Sequence, residues 1–163
     1  MTDEETPATT PERTFLLVVD ESEEFSNAMR FAWRRALKTG GRVALLYTIE
    51  RAEFQHWVGV GKLMEEERRQ EAEELLNVVA TTVQAKTDKV PMIFLREGNL
   101  SEEVLKLVDE EQSISVLVLG ASVSDDGPGT LVSLISGKMA GKLRVPVTIV
   151  PGNLTPEEVD AIT

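Results

Sequence analysis

The sequence predicts an α/β fold: an open parallel five-stranded sheet with helices on both faces. Three observations carry that expectation. Five short runs are continuously apolar rather than alternating, as strands buried on both faces are. Between them, apolar residues recur every three or four positions, the stripe of an amphipathic helix. Acids, glycine or proline close each run, so strands and helices alternate, and a parallel crossover needs just such a covering helix.

The first run, Phe15-Leu16-Leu17-Val18-Val19, stops at Asp20. Phe25, Ala28, Met29, Ala32, Trp33 and Ala36 then form a helical stripe, with Ser22 as the expected N-cap and Gly40-Gly41 as the stop. The second run covers residues 43–49. Residues 50–62 interrupt the rhythm with Phe54, His56, Trp57, Gly59 and Gly61, and read as a loop or short irregular element. A long charged helix follows, its buried stripe formed by Met64, Ala72, Leu75, Leu76, Val79 and Val83. Its run of glutamates with Arg68 and Arg69 reads as a solvated face with i,i+4 pairs.

The third run, residues 92–95, leads to Arg96-Glu97-Gly98. Asn99 is placed to cap the next helix, with Glu102 three residues on, and Val104, Leu107 and Val108 face inward. The fourth run, residues 114–119, ends in Gly120. A polar loop over 121–129 precedes a helix with Leu131, Leu134, Ile135, Met139 and Leu143 inward. The fifth run is bounded by Val145 and Val150 and closed by Pro151-Gly152; Thr155-Pro156-Glu157-Glu158 is a good helix start beyond it. The expected organisation is a disordered tail over 1–12, one domain over 13–152 and a C-terminal tail over 153–163.

The 163 residues carry 17 Lys and Arg against 28 Asp and Glu, a net charge of −11. Clustered cations are what hold phosphate backbones and anionic membranes, so nucleic acid and membrane surfaces are not expected partners. With no cysteine, disulfides, thiolate nucleophiles and Cys-based zinc sites are excluded. A single histidine, His56, makes a His-rich metal site or a Ser–His–Asp triad improbable. The N-terminal stretch is polar and acidic, unlike a secretory signal, and the expected location is the cytoplasm.

In this architecture ligands sit beyond the carboxyl ends of the strands, where the winding reverses. The turn after the first strand reads Asp20-Glu21-Ser22, without the glycines of a classical dinucleotide site. Gly137-Lys138 has Val132 where a Walker loop needs glycine, and lies inside a helical pattern. What remains is the stretch after the fourth strand, Gly120 through Gly127, Gly129 and Thr130, opening a helix. It reads either as a phosphate cradle built on exposed N–H groups or as a polar loop rich in turn formers, with Asp125-Asp126 repelling an anion. Asp20 reads as a ribose-binding group or as a helix-capping neighbour. His56-Trp57 reads as a stacking pair or as loop packing, and Lys138 as a phosphate contact or a solvated cation. No nucleophile, base and orienting group assemble, and nothing in the sequence argues for an enzyme.

Val19-Asp20-Glu21-Ser22 after the first strand, Arg96-Glu97-Gly98-Asn99 after the third, Leu119-Gly120 after the fourth and Val145-Pro146-Val147 in the last run resemble the universal stress protein family. The resemblance covers roughly residues 14–152. It implies strand order 3-2-1-4-5 in an adenine nucleotide alpha-hydrolase-like fold. It also implies a small cytoplasmic stress-response binding protein with ATP or AMP as ligand, accompanied by magnesium. By that resemblance Asp20 touches the nucleotide, and Val19 and Thr48 frame the adenine. The phosphates fall to Gly120, Ser122, Gly127, Gly129, Thr130 and Ser136. The family's Gly-x-x-Gly step has Val123 at its second glycine here, and the later glycines stand in another register. The alternative is a member without nucleotide that acts through protein contacts. Either way the resemblance implies a homodimer through the last strand, an edge with apolar residues on both faces, Val147 and Ile149 lying near the two-fold axis.

Overall fold

Strands without a polar face need cover on both sides, and the central strands here receive it. The computed structural model describes residues 11–50, 58–135, 137 and 139–163. Its elements run β1 (Thr14–Val18), α1 (Phe25–Thr39), β2 (Arg42–Ile49), α2 (Val58–Thr87), β3 (Met92–Glu97), α3 (Leu100–Glu110), β4 (Ile114–Ala121), α4 (Thr130–Ile135), β5 (Val147–Pro151) and α5 (Pro156–Ala161). The sheet order is β3-β2-β1-β4-β5, every pair parallel. The chain winds outward from central β1 to β3 and then crosses back to β4, so the winding reverses between β1 and β4.

Strand alternation divides the core into two layers. Phe15, Leu17, Val43, Leu45 and Val118 face α1 and α2, against Ala28, Ala32, Trp33, Leu76 and Val83. Leu16, Val18, Ala44, Leu46, Leu117 and Leu119 face the other side, against Val104, Leu107, Ile135 and Met139. Fully burying one such aliphatic side chain contributes about 1.5–3 kcal/mol, and central β1 buries every residue while edge strands β3 and β5 bury few.

Several boundaries differ from those expected. Ser22 does not cap α1: its N–H and hydroxyl both donate to the Asp20 carboxylate, and the helix begins at Phe25 with Glu24 as N-cap. Gly40 closes α1 in the left-handed conformation at φ 67°, as expected. Residues 50–62 are not all loop, because α2 starts at Val58 and takes in Gly59 and Gly61. Its 30 residues span about 45 Å at ~1.5 Å per residue, against about 26 Å for eight-residue β2. The helix therefore overhangs the sheet, which leaves Met64, expected inward, exposed, while Ala72, Leu76, Val79 and Val83 are buried.

The helix expected after Gly129 stops at Ile135, and a separate 3₁₀ turn occupies Ala140–Lys142; Met139 is buried between them, and Leu131 and Leu143 are half-buried against the same layer. The last strand begins two residues late, at Val147, since Pro146 has no N–H to enter the ladder and contributes only its carbonyl, to the Leu117 N–H. Asn99 caps α3 by accepting from the Glu102 N–H at 3.2 Å, as the sequence predicts.

Beyond β5 the chain folds back as α5, capped by Thr155, with Val159 fully buried. Arg30 of α1 donates to both Asp160 carboxylate oxygens, at 2.6 and 2.8 Å, and Arg34 adds a third contact at 3.0 Å. The Arg30 hydrogen bonds hold the Asp160 carboxyl below its ordinary value. Buried Asn27 donates to the carbonyls of Pro151 and Leu154, tying the same stretch to α1. At the other end Glu12 pairs with Lys89 at 3.2 Å and Arg42 at 3.5 Å. Residues 1–10 lie outside the described residues. Among those described, no helix is long and apolar enough to cross a membrane.

Candidate functional site

The reversal of winding puts the carboxyl ends of β1 and β4 side by side, the place where open parallel sheets of this kind take their ligands. Val19 contributes backbone only: its side chain is buried in the α1 layer and its N–H donates to the Leu46 carbonyl at 2.8 Å. Asp20 follows, half-buried, one carboxylate oxygen accepting from Ser22 at 3.0 Å. Thr48 stands near the end of β2, its Oγ1 buried without a hydrogen-bond partner among the described residues. Tyr47 beside it has its phenol pushed above its ordinary value by burial, then by the carboxylates of Glu21, Glu71 and Asp20. It is a neutral donor at pH 7.

The loop after β4 is internally bonded. The Ser122 N–H donates to the Pro128 carbonyl at 2.9 Å, the Ser124 N–H to the Ser122 hydroxyl at 3.3 Å, and the Gly127 N–H to the Ser124 carbonyl at 3.2 Å. Gly127 and Gly129 adopt φ of 100° and 96°, values that side chains rarely reach. A phosphate cradle needs outward N–H groups, and two of the expected donors, Ser122 and Gly127, are spent holding the turn.

The glycines serve another neighbour. A Cβ on Gly120 would lie 2.6 Å from the Glu24 carbonyl oxygen, and one on Gly152 would lie 2.7 Å from the Glu24 Cβ. A Cβ on Gly129 would lie 3.3 Å from Glu24 Oε1 and 3.6 Å from the Ser122 Cβ. The first turn of α1 is thus wedged among three backbone segments, each thinned to glycine. Gly120 and Gly129 both pack against Glu24, which no local pattern singles out, and Ser122 lies beside Gly129. The signal available was indirect: glycines spaced along the chain after two different strands, all needing a close approach.

Thr130 opens α4, its side chain outside the described atoms. Ser136, Lys138, His56 and Trp57 likewise lie outside the described residues. A separate cleft of about 490 Å³ opens at the ends of β2 and β3, lined by Glu50, Glu97, Gly98, Asn99, Glu102, Glu103 and Lys106. Among the described residues no group of three or more His, Asp or Glu is placed to hold a metal ion.

A family model described as the universal stress protein family matches residues 12–151. The chain belongs to the universal stress protein family. Solved structures agree on the fold. The universal stress protein UspA from Lactobacillus plantarum superposes with a TM-score of 0.71 at 14% identity, covering 86% of this chain and 99% of that one. A universal stress protein solved in complex with cAMP gives 0.61 at 15% identity, covering 86% and 98%. The universal stress protein from Archaeoglobus fulgidus in complex with dAMP gives 0.58 at 14% identity, covering 86% and 99%. No curated protein matches the sequence significantly.

Proposed function

We propose that this universal stress protein is a cytoplasmic stress-response binding protein, and that it takes an adenine nucleotide in the crevice between the ends of β1 and β4. The observation that carries this reading is the Thr48 hydroxyl, buried without a partner among the described residues. A buried polar group without a partner costs about 1–3 kcal/mol, a penalty that a ligand hydrogen bond removes. Asp20 follows the neighbouring strand β1, the polar loop from Ser122 to Gly129 follows β4 beside it, and two structures of the same fold hold cAMP and dAMP. In this reading Thr48 and the Val19 backbone frame the base, and Asp20 accepts from the ribose. Isothermal titration with AMP and ATP, with and without magnesium, tests it. Asp20→Ala should weaken binding by about 1–3 kcal/mol, the range for a hydrogen bond to a charged group. Unchanged affinity would refute the placement, and no heat at millimolar nucleotide would refute the ligand.

A second reading, a member that works through protein contacts alone, is favoured by the spent N–H donors of the loop. Both readings include a homodimer through β5. That strand is the sheet's edge, half of the Ile149 side chain faces outward (45% exposed), and an uncharged edge invites pairing with a second copy. Sedimentation should find a dimer in the unaltered protein and a monomer for Ile149→Lys, whose charge would be buried without a partner. A monomer at tens of micromolar before any substitution would end this proposal.

A further inference from the structure

Glu24 packs on three glycines at the ends of β4 and β5 and brings its carboxylate to one of them, Gly129, which bears on the charge of whatever binds there. Glu24 has backbone dihedrals of −71° and −14°, and its carbonyl accepts from the Ala28 N–H at 3.3 Å, so its main chain is locked into the start of α1. Its carbonyl packs on Gly120 and its Cβ on Gly152, leaving one carboxylate oxygen beside Gly129. That is the ground on which an anionic tail leaving the β1–β4 crevice would have to lie. Asp125 and Asp126 stand on the same loop. Among the described residues none of these three acids is in an ion pair.

We infer that Glu24 selects the ligand by charge: it fills the anion position of the loop with the protein's own carboxylate, so that the site takes an adenine nucleoside or its monophosphate and turns away the di- and triphosphates. The inference rests on the adenine reading above and names the class of ligand within it. Each further phosphate brings negative charge towards the half-buried Glu24 carboxylate, where repulsion is stronger than in bulk solvent. The uncharged base and ribose, held at Val19, Asp20 and Thr48, do not meet that repulsion.

The test is titration of the full chain with adenosine, AMP and ATP, without divalent ions, in the unaltered protein and in Glu24→Gln, which keeps the shape and removes the charge. Adenosine should bind both proteins equally, ATP should bind the unaltered protein more weakly than AMP, and the substitution should tighten ATP about tenfold, the scale of one screened like-charge contact. In the unaltered protein, raising the salt should narrow the gap between adenosine and ATP, a readout that stands even if Glu24→Gln fails to fold. Equal ATP affinity in the two proteins, or a gap indifferent to salt, would overturn the inference while adenosine binding kept the adenine reading. Absence of binding by all three ligands would overturn both.

Discussion

The turn from β3 into α3 and the turn from β4 into α4 each lay a glutamate carboxylate over a glycine. In the first, a Cβ on Gly98 would lie 3.1 Å from Glu103 Oε1, and Gly98 has φ 143°. In the second, Gly129 meets Glu24 Oε1 at 3.3 Å. The difference is where the glutamate comes from. Glu103 belongs to the helix that the turn begins, beside the Asn99 cap, and the whole arrangement lies within six residues. Glu24 comes from a helix near the other end of the chain. Both turns are held by their own hydrogen bonds, but a glutamate from the adjoining helix is written in the turn's neighbours, and one that packs in from afar is written nowhere nearby.

That contrast can be broken by removing each kind of support. The largest effect is expected at Gly120→Ala, because the new methyl would meet the backbone oxygen and carbon of Glu24 at 2.6 and 2.9 Å, and backbone cannot swing aside. Overpacking of that kind costs about 1–3 kcal/mol or more, seen as a lowered urea midpoint. An unchanged midpoint would mean that α1 does not wedge against β4. The smaller effect belongs to the local turn. Asn99→Ala removes the hydrogen bond to the Glu102 N–H and should cost about 1 kcal/mol in the same measurement. A loss as large as that of Gly120→Ala would remove the distinction between the two turns.

The two-layered core was legible because continuous apolar runs have one physical explanation, cover on both faces. The α3 cap was legible because Asn99 and Glu102 are neighbours. Strand order came from the resemblance, not from periodicity, since hydrophobic runs do not say which strand lies beside which. Element ends were less legible. Ser22 looks like a cap and instead bonds to Asp20, a competition between two local hydrogen bonds that composition does not decide. The single helix expected after Gly129 is a short helix and a separate 3₁₀ turn, since apolar spacing runs on past Gly137, which is not helical. At the site, Gly120 and Gly129 were found through their type, whereas Glu24 was one acid among 28 and acquired its place only through tertiary packing.

The clasp between α1 and α5 has a consequence for the order in which the molecule assembles. β1 pairs with β2 across a single helix, Thr14 opposite Arg42, so that unit closes a short loop. The Arg30–Asp160 contact joins residues 130 apart, and Asn27 reaches Leu154 across 127. Closing a loop that long from an open chain costs roughly 4 kcal/mol through length alone, more than a surface ion pair returns. The clasp therefore forms after β4 and β5 have docked and brought the ends together. It is a fastening made last, and in the reverse direction it is the first to open, so the C-terminal turn of the chain keeps time for the whole sheet.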